Sequence, residues 1–291
     1  MKSIYRSDEG RRTMARWYSR FIERLGVPTE SLEVETRHGR THILVAGAPE
    51  NPPLWCFHGA NSSAASALAQ VPSLLDAFRV YFPDTVGQPG RSADERLDWQ
   101  GDAHGEWVLD VLDRLNIEQV HTLSMSLGGY IVLRTASLAP ERIGRSVLWV
   151  PGGLVKPPVL PMLSLMGAAV IYGMSPTRER FARLMQRTVT DEDPMTVDFM
   201  SDAFRYVFAD RRFPRPLADG ALREWKAPVL VVTHERDIVF PPDRLRLRAE
   251  QMIPGLVRIN HVPGWKHMPP FATDRLGPVL NDVIGFLRAS G

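Results

Sequence analysis

The sequence predicts an α/β fold, a mainly parallel central sheet flanked by helices, and three observations carry the prediction. Short apolar and β-branched runs alternate with stretches of helical periodicity along most of the 291 residues. At 120–139 a buried-strand pattern passes into a helical pattern through a turn of only a few small residues. Between 154 and 225 the alternation stops, and Pro157, Pro158, Pro161, Pro176, Pro194, Pro214 and Pro216 cut the stretch into short helical pieces.

Taken in order, residues 1–25 read as an amphipathic helix. Met14, Trp17, Tyr18, Phe21, Ile22 and Leu25 fall at helical spacing among six arginines, which predicts packing against the protein's own body rather than a leader or a membrane helix. Residues 32–36 and 42–46 form a hairpin pattern around Arg37-His38-Gly39-Arg40, and 54–57 is a buried strand ending at His58-Gly59-Ala60-Asn61. A helix is expected within 64–77 and a strand at 79–82, closing on a loop punctuated by Gly87, Pro89 and Gly90. A helix at 102–115 precedes the 120–123 strand, and a strand at 146–150 stops at Pro151-Gly152-Gly153. Beyond 225, strands at 229–233 and 257–262 alternate with helices at 242–252 and 276–287. The regular alternation argues for a sheet covered on both faces. The domain reading is a core of 1–153 and 226–291, with its N-terminal helix at about 8–25, and a helical lid of 154–225 inserted after the sixth strand. Such an insertion stands over the carboxyl ends of the strands, where open α/β sheets bind ligands.

Composition narrows the function classes. A formal charge of +2 and a pI near 8.8 are too mild to imply nucleic acid. One cysteine, Cys56, excludes an internal disulfide and a cysteine-rich metal site, and its place in an apolar run predicts a buried, inert thiol. The apolar stretch 159–174 contains Pro161 and is shorter than the roughly 20 residues a membrane span requires. The expectation is a cytoplasmic protein without a membrane span, with no metal and no cofactor. No ligand spacing, phosphate-cradling loop or dinucleotide fingerprint is present, and nothing specifies an oligomeric state.

The chemistry is concentrated at Ser124-Met125-Ser126-Leu127-Gly128, the small-x-Ser-x-Gly form of a nucleophile elbow between strand and helix. The expectation is that residues two before and two after Ser126 nearly touch, which demands small side chains, and that Ser126 takes a strained backbone conformation. The following helix directs its N–H groups and dipole toward the serine, where negative charge is favoured.

Several motifs together resemble the α/β-hydrolase superfamily: His58-Gly59 after a strand, Asp84-x-x-Gly87-x-x-Gly90-x-Ser92 after the next, the elbow at Ser126, Asp237 after a late strand and His267 before the last helix. The runs 37–42, 52–60 and 124–129 look like bacterial carboxylesterases of the naproxen-esterase type, although Ser124 stands where that family usually has glycine. The resemblance implies the α/β-hydrolase fold and a serine hydrolase that cleaves small-molecule carboxylic esters through an acyl-enzyme. Alternatives are a carbon–carbon bond hydrolase or perhydrolase with the same triad, or a weakly catalytic ligand receptor.

A serine hydroxyl needs a base within hydrogen-bond reach, and the base needs an orienting carboxylate. In this fold they follow in the order serine, acid, histidine. Among eight histidines, His267 leaves a strand through a glycine loop and is the candidate base; His261 lies within the strand, and His58 belongs to the oxyanion loop. Asp237 is the candidate acid, with Glu235 and Asp243 as nearby competitors. The N–H groups of Leu127 and, by analogy with the family, Ala60 are the expected oxyanion donors. Asp84 and Ser92 read as residues that order loops. Asn61, Met125, Met162, Met166, Phe181, Met185 and Trp265 are candidates for the substrate pocket, with Met200 and Phe204 nearby; methionine adapts to irregular ligands, and the same residues could equally be core of the insertion.

Overall fold

A computed structural model of the chain describes residues 3–191, 193–208, 210, 214–271 and 273–289. Its strands are β1 (Thr29–Thr36), β2 (Gly39–Ala46), β3 (Pro53–Phe57), β4 (Arg79–Pro83), β5 (Val120–Met125), β6 (Ile143–Trp149), β7 (Val229–His234) and β8 (Leu256–Val262). They form one sheet in the order β1-β2-β4-β3-β5-β6-β7-β8. The β1–β2 and β2–β4 pairs are antiparallel, and every later pair is parallel. The helices are α1 (Asp8–Leu25), α2 (Ala64–Leu68), α3 (Ala103–Arg114), α4 (Leu127–Leu138), α5 (Val159–Met174), α6 (Arg178–Met185), α7 (Pro194–Tyr206), α8 (Pro242–Met252) and α9 (Thr273–Arg288).

Strand periodicity explains the two covered faces. In β3, Leu54 and Cys56 join the core beneath α1 and α9, while Trp55 and Phe57 point to the opposite core beneath α3, α4 and α8. Both sets are apolar, so the strand has no wet face and reads as a continuous hydrophobic run. The Cys56 thiol is buried, and burial pushes its pKa up, as expected of an inert cysteine.

The helix expected within 64–77 is α2, which spans only 64–68, and residues 72–76 form a separate 3₁₀ turn that opens at Pro72. The N-terminal helix packs on the protein itself. Ser7 caps α1 by accepting the Gly10 N–H, and Met14, Trp17, Tyr18, Phe21 and Leu25 are buried. Trp17 and Phe21 contact the Phe199 ring at 6.2 and 5.2 Å, and Trp17 Nε1–H donates to Asp202 at 2.7 Å, which ties α1 to α7.

Between β6 and β7 the chain builds α5, α6 and α7, and these helices share a small core of their own around Tyr172, Phe181, Leu184, Met185, Val189 and Val197. Among the described residues no helix is long and apolar enough to cross a membrane.

Candidate active site

Ser126 sits between β5 and α4 with φ 51° and ψ −107°, a left-handed conformation that is strained for a residue with a side chain. Hydrogen bonds hold it there: its N–H donates to the Trp149 carbonyl at 3.0 Å, and its carbonyl accepts the Gly152 N–H at 2.8 Å. The strained peptide is therefore pinned to the end of β6 and to the turn that follows.

Close approaches around the elbow demand small side chains. A Cβ on Gly128 would lie 2.2 Å from the Phe57 carbonyl oxygen, and one on Gly129 would lie 2.5 Å from Pro151 Cβ. The glycines admit β3 and the 151–152 turn against the helix. Ser124 is buried within the sheet, its hydroxyl donating to the Val147 carbonyl at 3.2 Å.

The end of β7 delivers Asp237, and the loop after β8 delivers His267. His267 Nδ1–H donates to Asp237 Oδ2 at 2.9 Å, and Nε2 lies 2.9 Å from Ser126 Oγ. The other Asp237 oxygen accepts the N–H groups of Val239 at 2.7 Å and Phe240 at 3.0 Å. Burial pushes the Asp237 pKa up, but His267 and these two N–H groups outweigh it and hold the carboxyl below its ordinary value. An ionised carboxylate accepts only from Nδ1–H, so the neutral tautomer it selects presents the Nε2 lone pair to the hydroxyl. This arrangement can take a proton from Ser126 and stabilise the imidazolium that results.

The competitors for the acid lie elsewhere. Glu235 accepts the Gly264 N–H at 2.7 Å and staples the histidine loop, while Asp243 occupies the first turn of α8. His261 bonds Thr233 Oγ1 across the β7–β8 pair at 3.1 Å. His58 is buried, donating from Nδ1 to the Gly59 carbonyl at 2.8 Å and accepting the Thr85 N–H at Nε2 at 3.0 Å. Burial lowers its pKa, so the ring is neutral and serves as a bracket for the loop.

That loop runs beside the serine, since a Cβ on Gly59 would come within 3.6 Å of Ser126 Cβ. Ala60 follows it, and Leu127 opens α4, where a helix leaves its first N–H groups without internal acceptors. Asn61 takes φ 56° and donates its N–H to Gln88 Oε1 at 2.8 Å. Asp84 is buried, accepting from Ala64 N–H at 2.8 Å, His42 Nδ1 at 2.9 Å and Arg91 N–H at 3.2 Å. Ser92 Oγ donates to the Asp84 carbonyl at 2.6 Å and accepts the His42 N–H at 2.9 Å. Both residues order loops, as the sequence suggests.

The expected pocket residues disperse. Met125 and Met162 are partly buried. Phe181 and Met185, expected at the pocket, are instead buried in the core of α5–α7, because α6 turns its apolar stripe toward its two neighbours. Met166 is exposed at 52%. Trp265 is buried and stacks on Trp149 at 6.4 Å. A cavity of about 140 Å³ lies among α5–α7 beside Phe181, and a groove of about 560 Å³ lies at the amino ends of the strands near Gln119 and Arg145; neither is lined by Ser126.

Two supports of His267 escape the sequence. His234 ends β7 fully buried, accepting the Trp149 indole N–H at 2.7 Å and donating from Nδ1 to the Lys266 carbonyl. Desolvation lowers its pKa to about 4, so it is neutral in the fold. On the other flank, Thr190 Oγ1 accepts the Lys266 N–H at 2.9 Å, and Met268 N–H donates to the Thr188 carbonyl at 2.8 Å. The insertion thus grips the chain on both sides of the imidazole. A histidine just before the acid was the available signal for His234; a Thr-Val-Thr run gives none. Among the described residues no cluster of three His, Cys, Asp or Glu could hold a metal ion.

An eight-stranded, mostly parallel sheet with a strained serine at its central strand-to-helix turn defines the class. The chain belongs to the alpha/beta hydrolase fold family, whose model matches residues 52–206, just over half of its length. It is 26% identical over 290 residues to the uncharacterized carboxylesterase nap of Bacillus subtilis, covering 94% of this chain and 95% of that one. It is 28% identical over 272 residues to a 2-hydroxy-6-oxononadienedioate/2-hydroxy-6-oxononatrienedioate hydrolase of Paraburkholderia phymatum, covering 84% and 91%. The crystal structure of naproxen esterase (carboxylesterase NP) from Bacillus subtilis superposes with a TM-score of 0.81 at 22% identity, covering 96% of this chain and 98% of that one.

Proposed function

We propose that the protein is a serine hydrolase that cleaves small-molecule carboxylic esters through an acyl-enzyme. The observation that carries this reading is the continuous path from Ser126 Oγ through His267 to Asp237, with both contacts at 2.9 Å. Ser126 attacks the ester carbonyl while His267 takes its proton and then delivers it to the leaving alkoxide. Asp237 keeps the ring oriented and balances its positive charge. The N–H groups of Leu127 and Ala60 receive the developing oxyanion; loss of such a donor costs on the order of 10² to 10³ in turnover. Water then attacks the acyl group by the same route in reverse. Helices α5–α7 act as the lid, and Asn61, Met125 and Met162 are the pocket residues nearest to this reading. The carboxylesterase relative supports the choice of ester.

Ser126→Ala should lower turnover of p-nitrophenyl butyrate by more than about 10³-fold with an unchanged circular dichroism spectrum. Undiminished activity would overturn the assignment. The 2-hydroxy-6-oxononadienedioate hydrolase relative at 28% identity supports carbon–carbon bond hydrolysis as a second reading with the same triad. Parallel turnover of an aryl ester and a vinylogous 1,5-diketone separates the two. Folded protein whose Ser126 resists a fluorophosphonate probe would instead indicate a ligand receptor.

A further inference from the structure

Helix α5 is apolar on nearly every side and carries no charge over its 16 residues. One arc, formed by Leu165, Ala168, Ala169 and Tyr172, packs on α6 and α7. The opposite arc faces outward: Leu160 is 79% exposed and Met174 81%, with Leu163, Met166, Val170 and Ile171 each more than half exposed. At 100° per residue these six share one half of the helix surface, and 16 residues give the ridge a length of about 24 Å. A continuous apolar face of this kind marks an interaction surface.

The charges around it identify what covers it. From 154 to 190 the chain has five cations, Lys156, Arg178, Arg180, Arg183 and Arg187, against one anion, Glu179. Of the acids farther along the insertion, Asp191 pairs with Arg275, Asp193 with Arg24 and Asp202 with the Trp17 indole, all on the body, while Asp198 faces Arg178 at 3.9 Å and leaves Lys156, Arg180, Arg183 and Arg187 as the excess. The Arg187 guanidinium donates to Ser164 Oγ on α5, so positive charge lies at the border of the apolar ridge. A second copy placed on this face by a two-fold axis would bring these cations against one another. An anionic lipid surface satisfies both features, since acyl chains take the ridge and headgroups take the arginines.

We propose that α5, with Arg187 at its border, docks the protein in the plane of an anionic lipid bilayer. The helix lies in the interface and does not cross it, in keeping with its length. The proposal stands apart from the role of Ser126, and a lipid-binding assay reads it whether or not the protein cleaves esters.

The test is co-sedimentation of the full chain with vesicles of phosphatidylcholine alone or mixed with phosphatidylglycerol. Binding to the mixed vesicles is expected to exceed binding to phosphatidylcholine by on the order of tenfold or more and to weaken with added salt. Leu163→Ser/Val170→Ser/Ile171→Ser should abolish binding and leave KM for a soluble ester unchanged. Arg183→Gln/Arg187→Gln, which leaves the apolar ridge intact, should lose the preference for phosphatidylglycerol. No binding, or equal binding to both vesicles, overturns the proposal. A dimer in sedimentation velocity that the triple variant dissociates assigns the face to a second copy and also overturns it. A raised KM in the triple variant without any change in lipid binding would place the ridge in the substrate cleft, with the same consequence.

Discussion

The indole N–H of Trp149 and the Nε2 atom of His234 meet at 2.7 Å, joining the end of β6 to the end of β7 directly behind His267. Because Nε2 accepts this bond and Nδ1 donates to the Lys266 carbonyl, only the neutral ring satisfies both partners. Protonation would turn the acceptor into a donor facing another donor.

Stability should therefore fall in acid. Burial lowers the His234 pKa from 6.5 to about 4, so between those values the unfolded chain binds the proton and the folded one does not. The free energy of unfolding then decreases as pH drops through that window, by about 1.4 kcal/mol per unit for this ring. His104, buried against Trp99, is lowered to about 4 for the same reason and adds a similar slope. Urea titrations at pH 7 and pH 5 should differ by about 2 kcal/mol per ring, and His234→Gln should show the shallower dependence. A variant slope equal to that of the parent would dismiss this account.

Asp237→Asn should preserve the fold and lower kcat by about 10³- to 10⁴-fold, because a neutral amide can turn its NH₂ toward His267 and favour the wrong tautomer. Steady-state turnover of p-nitrophenyl butyrate measures it. Retention of a tenth of the activity would remove Asp237 from its proposed role.

Gly128→Ala tests the close approach of β3. Its methyl group would meet the Phe57 carbonyl at 2.2 Å, a backbone atom that cannot rotate away. A loss of about 2 to 3 kcal/mol is expected, together with loss of activity as Ser126 shifts. A denaturant midpoint equal to the parent's would contradict it.

Two contacts between α1 and α7 should differ sharply in weight. Trp17→Ala removes a buried ring packed on Phe199 and leaves Asp202 without its donor, at an expected cost of about 3 to 5 kcal/mol. Arg24→Ala breaks an ion pair with Asp193 in which the arginine side chain is 39% exposed, and should cost less than about 1 kcal/mol. Equal effects in thermal unfolding would refute the ranking.

Much of this fold was legible because its strands are buried on both faces. The runs at 54–57, 80–82 and 229–232 stand out as continuous apolar segments, and α8 falls at the expected 242–252. The strand order was not legible, because nothing local makes β2 pair with β4 and leaves β3 beside β5. The elbow motif, together with the chain order that the family resemblance implies, pointed to Ser126, Asp237 and His267, which lie within hydrogen-bond reach of one another. The supports of His267 were less legible: Trp149 sits inside an apolar run where core packing is the ordinary reading, and only the nearness of His234 to Asp237 marked that histidine. Met166 and Phe181 show the matching limit. Periodicity tells that α5 and α6 have apolar faces, but not which face is covered and by what.

Ser126 and His267 are 141 positions apart along the chain, and their contact also depends on Thr188 and Thr190 of the insertion lying against the 266–268 segment. Such distant partners meet only after β6, β7 and β8 have been laid side by side and the intervening loops closed, which is slow compared with forming α1 or the β1–β2 hairpin. During refolding, far-ultraviolet ellipticity should recover first and catalytic competence last, making turnover a reporter of the final assembly step.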